Sequence, residues 1–169
     1  AAYELAKLLG LDDMMPVTVE RKWRGKTGSM CWWLPSKLDE GIRQEKKIEA
    51  PEQEAWAKQY NKMLVFAELV YDTDRNRGNI LYSEDWHLWM IDFTRAFRTY
   101  AQLANPKNLS RCDRQLFASL KQLDAAELSA KTRGYLTQIE VRGVMARRDK
   151  IVAHFEKLIA EKGEARVLY

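Results

Sequence analysis

Three polar residues of the kind that bind metals and orient hydroxyl groups occur close together in the middle of the sequence. Asp74 opens the string DRNRGN, Asn79 closes it, and Asp92 opens the string DFT after a short apolar run. Phosphoryl transfer needs a carboxylate that orients the attacking hydroxyl, and oxygen ligands that hold magnesium on the phosphates. These residues therefore predict a phosphoryl-transfer site, although a D-x-x-x-x-N string taken alone is far more often turn chemistry.

The sequence around these residues predicts a helix, a polar loop and a hairpin. Pro51 fits the first turn of a helix whose apolar residues recur at intervals of three and four. The loop at 72–79 is rich in Asp, Asn and Gly, and two short strands, 80–82 and 87–91, follow it. The second strand delivers Asp92 at its end, so the hairpin brings this carboxylate to the edge where the loop lies.

The strings DTDRNRGNIL and LWMIDFTRAF resemble the catalytic and metal-binding loops of the atypical kinase-like fold. The similar proteins are small lipid-kinase-like and secretory-kinase-like bacterial proteins, and phosphatidylinositol 3- and 4-kinases share the Asp-Arg order of Asp74 and Arg75. This resemblance implies transfer of the γ-phosphoryl group of ATP, with Mg²⁺ or Mn²⁺, to a hydroxyl acceptor. Protein Ser/Thr, a lipid head group and a small metabolite all stay open as acceptors.

The resemblance also implies roles for individual residues. Asp74 would be the catalytic Asp that orients the substrate hydroxyl or receives its proton, and Asn79 and Asp92 would bind the metal that bridges the phosphates. Arg75 would be part of the catalytic loop. It would either support this loop through Asp72 or Asp92, or neutralise phosphate charge.

The N-terminal part of the sequence predicts a helix and a hairpin. Apolar residues at helical spacing up to Leu9, followed by Gly10, predict a short amphipathic helix. The alternating segment 17–23 and the run 29–34, on either side of the turn string RGKTG, predict the hairpin. By resemblance these elements would be the regulatory helix and two strands of a kinase small lobe.

The end of this hairpin carries the expected nucleotide contacts. By resemblance, Trp32, Trp33 and Leu34 would lead to the adenine hinge. From the residues alone, tryptophans at alternating strand positions are more typical of a core than of a base-stacking surface. Trp33 can serve both roles.

The remaining sequence is mostly helical. Residues 36–49 are polar and charged, which suits a solvated connection that has room for a short helix and forms no core of its own. Ser110, Asp124 and Thr137 each stand at capping-box or similar spacing before a helix. We therefore expect an α+β, protein-kinase-like fold with a mostly helical large lobe and a remnant of the small-lobe sheet.

The small lobe is expected to be incomplete. The sequence contains no Gly-rich phosphate loop, and it offers no good equivalent of the strand Lys that contacts phosphates in kinases. The chain opens in mid-helix without an initiator Met, which favours a fragment over a reduced member. We predict a partial small lobe at 1–35 and a large lobe at 36–169, with weak or no catalysis by this chain alone.

Composition restricts the remaining possibilities. The chain has 169 residues, of which 46% are apolar, which excludes general disorder and fits one domain or a piece of a larger protein. No apolar run or signal-peptide pattern predicts a membrane span or export. Cys31 and Cys112 lack metal-ligand spacing, and we expect both thiols to be buried and reduced, in a cytoplasmic protein.

Two alternatives to a kinase stay open, and charge disfavours one of them. The balance of 28 basic against 24 acidic residues gives a net charge of +4, and the acidic residues are spread along the chain, which disfavours nucleic acid as a partner. A noncatalytic kinase-like module that binds a partner through its helical half is the first alternative. A basic helical nucleic-acid binder ranks last, because the cluster Arg142, Arg147, Arg148 and Lys150 is more typical of a solvated face.

Overall fold

Seven α-helices and five short strands make up the fold of the computed structural model, which describes residues 1–169. The helices are α1 (Ala2–Leu9), α2 (Glu40–Glu45), α3 (Gln53–Val70), α4 (Arg114–Gln122), α5 (Ala125–Lys131), α6 (Gln138–Lys162) and α7 (Glu164–Val167). The strands are β1 (Thr18–Trp23), β2 (Lys26–Cys31), β3 (Leu38–Asp39), β4 (Ile80–Tyr82) and β5 (Leu88–Met90). The expected mixture of many helices and little sheet is confirmed. None of the helices has the length and apolar character that crossing a bilayer requires.

Strands β1 and β2 form a separate two-stranded hairpin. Trp23 pairs with Lys26, so the turn consists of Arg24 and Gly25 alone, with φ angles of 48° and 78°. Two successive residues at positive φ match the right-handed twist of a tight hairpin. The second strand therefore begins at Lys26. The prediction of a longer turn, with the second strand beginning at Ser29, is wrong.

The tryptophans after β2 lie outside the core. Trp32 is 71% exposed and Trp33 is 91% exposed, while Leu34 is half-buried. The expectation that these tryptophans pack in the core is wrong. The reason is that no other sheet or helix covers this hairpin, whose residues are nearly all exposed.

The second sheet has the order β3-β4-β5 and supports the candidate site. The predicted hairpin of β4 and β5 is confirmed, with Ile80 opposite Met90 and Tyr82 opposite Leu88. Strand β3 pairs with β4 at Leu38. The short helix that residues 36–49 predict is present as α2. Because Leu38 is buried, the expectation that this connection is solvated throughout is wrong.

A buried carboxylate anchors this connection to the sheet. Glu40, which is 1% exposed, accepts hydrogen bonds from Arg43 at 2.6 Å and from the Tyr82 hydroxyl at 2.8 Å. Burial opposes ionisation of Glu40, but these hydrogen bonds outweigh it, and the pKa of the carboxyl lies below its ordinary value. The ion pair lies within α2, and the hydrogen bond from the Tyr82 hydroxyl fixes α2 against β4.

Helix α3 provides the central packing surface. It begins two residues after Pro51 and ends at Tyr71, which adopts a left-handed conformation at φ 49°. Phe66 is fully buried and meets the ring of Phe93 edge to face at 5.5 Å. The predicted helix is thus confirmed, and its end leads directly into the polar loop.

The C-terminal helices begin at side-chain caps. Asp124 caps α5, and Thr137 with Glu140 forms the predicted capping box of α6. At α4 the cap is Asp113, whose carboxylate accepts a hydrogen bond from the Leu116 amide at 2.9 Å. The predicted start at Ser110 is therefore three residues too early.

Arg147 on α6 is completely buried. Its Nε donates to the carbonyl of Leu69 at 2.8 Å, and its Nη1 donates to the carbonyls of Arg98 at 2.8 Å and Tyr100. Burial lowers the pKa of Arg147 to about 10, so the group stays charged at neutral pH. The prediction that Arg147 lies on a solvated basic face is wrong. Its guanidinium is removed from solvent and donates hydrogen bonds to these three carbonyls instead of to water.

The two cysteines are free thiols in different environments. Cys112 is buried, and burial raises the pKa of its thiol to about 12. Cys31 is exposed at the end of β2, so the expectation that both thiols are buried is wrong for Cys31.

Replacing Arg147 tests its structural role. We expect Arg147→Met to lower the free energy of unfolding by about 3 kcal/mol, because three carbonyls lose their buried donor. The exposed Arg142 on the same helix offers the control, and Arg142→Met should change stability by less than about 0.5 kcal/mol. Urea unfolding of both variants measures the difference, and equal stabilities would contradict this role.

Candidate active site

The polar loop after α3 is shaped by a buried acid. The Asp72 side chain is fully buried and accepts hydrogen bonds from the Asp74 amide at 3.0 Å and from Arg75 Nε at 2.9 Å. Arg75 Nη2 lies 2.5 Å from the same carboxylate. A short polar side chain that binds the backbone two residues later is a common turn device, and here it fixes the backbone at Asp74.

Arg75 connects this loop to the end of β5. Its Nη1 donates to the carbonyls of Asn79 at 2.7 Å and Ile91 at 2.6 Å, and its Nη2 donates to the carbonyl of Asp92 at 3.1 Å. The guanidinium also lies over the ring of Phe93, 4.3 Å from its centroid. These contacts are those of a positioning residue. Arg75 contacts both of the residues expected to support it, Asp72 through its carboxylate and Asp92 through its backbone carbonyl.

Asn79 lies against the loop backbone. Its Nδ2 donates to the carbonyl of Asp74 at 2.9 Å, and its own carbonyl accepts from the Ile91 amide at 3.2 Å. The side-chain oxygen takes no hydrogen bond within the chain. Asn79 therefore offers an oxygen ligand from a fixed backbone.

Asp92 adopts an unusual backbone conformation directly after β5. Its φ is 52°, a left-handed value that costs energy for a residue other than Gly. Its Oδ1 accepts hydrogen bonds from the Thr94 hydroxyl at 2.7 Å and the Thr94 amide at 3.1 Å. These hydrogen bonds, with a smaller contribution from Arg75 and Arg95, hold the pKa of Asp92 below its ordinary value. The second oxygen, Oδ2, accepts no hydrogen bond within the chain and is free to bind a ligand.

Asp74 meets a cation that the sequence reasoning missed. Arg95 Nε lies 3.6 Å from Asp74 Oδ2, with Arg95 at 66% and Asp74 at 39% side-chain exposure. The carbonyl of Arg95 accepts from the Thr73 hydroxyl at 3.0 Å, which places the residue beside the loop. The only sequence signal is its position three residues after Asp92, in the string DFTR.

A cavity of about 490 Å³ opens beside the loop. It is lined by residues of the loop, by one face of α3, and by the segment 104–108. Asp74, Asn76, Tyr60 and Asn105 are among the lining residues. The predicted catalytic Asp thus lies at the wall of a space large enough for a small molecule.

The expected nucleotide contacts lie apart from this arrangement. The structure brings together Asp74, Arg75, Asn79 and Asp92 through the hydrogen bonds above. No hydrogen bond, ion pair or ring contact joins Trp32, Trp33 or Leu34 to these residues, and none of the three lines the cavity. They stand at the end of the exposed hairpin.

The oxygen ligands suit a metal that arrives with phosphates. No group of three or more His, Cys, Asp and Glu side chains is arranged to hold a metal by itself. Mg²⁺, however, is usually held by one or two protein oxygens together with substrate phosphates and water. Asn79 and Asp92 fit that donor set.

Comparison with known proteins supports a kinase-like fold. No protein-family model and no curated protein matches the sequence. Among the solved structures that match is one of hydra Fam20 with sugar, at a TM-score of 0.71 and 15% sequence identity, covering 99% of this chain and 72% of that chain. The likeness supports the kinase-like fold and gives no specific link to phosphatidylinositol kinases.

Replacing Arg75 tests the link between the loops. We expect Arg75→Lys to lower the free energy of unfolding by about 2 kcal/mol, because an ammonium cannot bridge one carboxylate and three carbonyls. Amide hydrogen exchange at Ile91 should become faster, since its amide bonds to Asn79 in the linked segment. Arg77→Lys is the control, because Arg77 is exposed in the same loop. Unchanged exchange at Ile91 would argue against the link.

Replacing Thr94 tests the cause of the lowered pKa of Asp92. We expect Thr94→Val to raise the pKa of Asp92 towards its ordinary value, because the hydroxyl donor is lost. In the wild type the pKa of Asp92 is lower in the folded state than in the unfolded state. The ionised carboxylate therefore stabilises the fold at pH values above the ordinary pKa of Asp, and this stabilisation is lost as the pH falls through the lowered pKa. Carboxyl ¹³C NMR titration measures the shift, with the exposed Thr99→Val as control. An unchanged Asp92 titration would refute the assignment.

Proposed function

We propose that this chain is an atypical kinase-like domain whose intact form transfers the γ-phosphoryl group of ATP to a hydroxyl acceptor. One observation carries the proposal: the guanidinium of Arg75 fixes the loop of Asp74 and Asn79 against the backbone of Asp92. A carboxylate and two oxygen ligands held in one hydrogen-bonded unit are what phosphoryl transfer requires. The Fam20-like fold supports the same class of protein.

Each proposed role follows from the environment of the side chain. Asp74, half-exposed at the cavity wall, orients the acceptor hydroxyl and accepts its proton. The acceptor oxygen bonds to the γ-phosphorus, and the bond from that phosphorus to the bridging oxygen breaks to release ADP. Asn79 and Asp92 would hold Mg²⁺ or Mn²⁺, which would supply charge neutralisation on the phosphates.

Arg95 completes the electrostatics in this proposal. Arg75 is buried and committed to Asp72 and three carbonyls, so it has no donor directed at a phosphate. Arg95 is exposed and pairs with Asp74, and its charge contributes to lowering the pKa of Asp92. We infer that it moves from Asp74 to the γ-phosphate when nucleotide binds, since a guanidinium binds phosphate oxygens well.

A noncatalytic kinase-like binding module is the second candidate. The observation that favours it is the exposure of Trp33, at 91%, and its lack of contact with the candidate site. Nucleotide binding separates the two candidates. A nucleic-acid binder is disfavoured further, because Arg147 is buried and Arg148 donates to the carbonyls of Leu120 and Leu123.

The partners and the location of the protein are proposals. We propose nucleotide and a hydroxyl acceptor as partners, and a cytoplasmic location, with which two free thiols agree. The division into a partial small lobe at 1–35 and a large lobe at 36–169 stays a prediction. So does the expectation of weak or no catalysis by this chain alone.

Thermal unfolding with ATP tests the proposal. A ligand that binds only the folded state raises the unfolding temperature, so we expect ATP with Mg²⁺ or Mn²⁺ to raise it and ATP alone to raise it less. Asp92→Asn should abolish the metal-dependent part. Asp74→Ala should keep it and, in a full-length parent, lower transfer by about 10²-fold or more.

The control for these variants is Asp13→Asn, which changes an exposed acid far from the loop in sequence. It should behave as wild type in both measurements. No shift for wild type at millimolar ATP and metal would favour the noncatalytic module. Full transfer by Asp74→Ala would remove Asp74 from the proposed mechanism.

A further inference from the structure

The carboxylate of Asp74 has two polar partners within the chain. Arg95 Nε lies 3.6 Å from Oδ2, and Asn76 Nδ2 donates a hydrogen bond to Oδ1 at 3.2 Å. The backbone of Asp74 is fixed separately, because its amide donates to Asp72 and its carbonyl accepts from Asn79. The two partners therefore set the direction of the side chain, and a group that receives a proton during transfer needs that direction to be correct.

The contact with Arg95 holds the carboxylate weakly. Both side chains are partly exposed, and the separation of 3.6 Å is long for a hydrogen bond. Ion pairs in such a position contribute little to stability and are screened by salt. In the proposed function Arg95 also leaves Asp74 when nucleotide binds. The orientation of the carboxylate during transfer must therefore come from its other partner, Asn76.

The side-chain amide of Asn76 is held at both ends. Its Oδ1 accepts a hydrogen bond from the Gly78 amide at 2.9 Å, which caps the short helical turn Arg77–Asn79. An asparagine amide has one end that accepts and one end that donates. Because the accepting end is bound to Gly78, the donating end faces Asp74.

The backbone around Asn76 is fixed as well. Its amide donates to the Asp74 carbonyl at 2.7 Å, and its carbonyl accepts from the Asn79 amide at 3.1 Å. A Cβ on Gly78 would lie 3.3 Å from Asn76 Oδ1, closer than an ordinary van der Waals contact, so glycine leaves room for the cap. The donor of Asn76 is thus in place before any ligand binds.

A neutral donor suits the task of orienting a base. A hydrogen bond from an uncharged amide fixes the direction of a carboxylate, whereas a cation at the same place would compete more strongly with the proton for its negative charge. With Oδ1 bound to Asn76, the other oxygen of Asp74 is left for the acceptor once Arg95 has moved.

We propose that Asn76 is the positioning residue for Asp74. It holds Oδ1, so that Oδ2 is the oxygen that receives the proton of the acceptor hydroxyl. Asn76 acts through Asp74 and does not itself touch the reacting atoms. This inference rests on the proposed function and adds to it a residue that directs the base.

Side-chain couplings of Asp74 test the contact in the chain itself. Three-bond ¹³C and ¹⁵N couplings report the χ1 rotamer of Asp74, and we expect one rotamer in wild type and in Arg95→Ala. Asn76→Ala removes the donor and should give couplings averaged over several rotamers. Averaged couplings in Arg95→Ala, or an unchanged rotamer in Asn76→Ala, would overturn the proposal.

The variant Asn76→Asp separates positioning from capping. Aspartate caps as well as asparagine and keeps an acceptor for the Gly78 amide, but it replaces the donor by an oxygen that repels Asp74 Oδ1. We expect averaged Asp74 couplings while the Gly78 amide stays protected from hydrogen exchange. Asn108→Asp, which makes the same change at a side chain lining the same cavity, should leave the couplings as in wild type. One fixed Asp74 rotamer in Asn76→Asp would show that Asn76 only caps the turn.

Hydrolysis of ATP by a full-length parent tests the role in the reaction. Water is the acceptor: its oxygen bonds to the γ-phosphorus, the bond to the bridging oxygen breaks to release ADP, and its proton passes to Asp74 Oδ2. We expect Asn76→Ala and Asn76→Asp to lower kcat at least about tenfold and to leave the KM for ATP unchanged. Asn108→Asp should behave as wild type. An unchanged kcat in both Asn76 variants would exclude the positioning role.

The metal-dependent thermal shift with ATP separates this inference from the proposed function. It should be the same in both Asn76 variants as in wild type, because Asn79 and Asp92 would hold the metal. If wild type shows the shift and Asp74 keeps its rotamer without Asn76, the positioning role is wrong and the proposed function stands. If wild type shows no shift, the proposed function fails, and the role of Asn76 in transfer fails with it.

Discussion

The buried guanidinium of Arg75 is the interaction on which the candidate site depends. A charge removed from water must find a complete set of partners, and here these are the carboxylate of Asp72 and the carbonyls of Asn79, Ile91 and Asp92. Those carbonyls belong to two segments that are separate in sequence. Satisfying one side chain therefore fixes the distance between the loop and the end of β5, and with it the relative positions of the oxygen ligands.

A second buried arginine stabilises the same region from the other side. Arg147 binds the carbonyl of Leu69 at the end of α3 and the carbonyls of Arg98 and Tyr100 after the site. The backbone there comes close to α6, where a Cβ on Gly143 would lie 3.2 Å from the Arg98 carbonyl oxygen. Glycine permits this approach. The long C-terminal helix thus positions both segments that carry the candidate residues.

The two halves of the chain differ in how firmly they are held. The loop, β4, β5 and the helices share one core in which residues such as Phe66, Met90 and Ile151 are fully buried. The hairpin of β1 and β2 contributes none of its residues to that core. The proposed catalytic residues therefore lie on segments bound to this core, whereas the expected nucleotide contacts, Trp32 and Trp33, lie at the end of the exposed hairpin.

The sequence by itself determined the helices and the polar loop, because these features depend on residues that are close together in the chain. Apolar spacing and capping residues predicted α3 and the starts of α5 and α6, and the string from Asp74 to Asp92 predicted the candidate site, because periodicity and caps act within a few residues. Only the tertiary structure decided which side chains are buried. For Arg75 the structure decided between the two expected roles, and it supports the loop. Arg147 is buried among carbonyls, Trp32 and Trp33 are exposed, and Arg95 lies beside Asp74. Burial and ion pairing depend on segments distant in sequence, which no local pattern encodes.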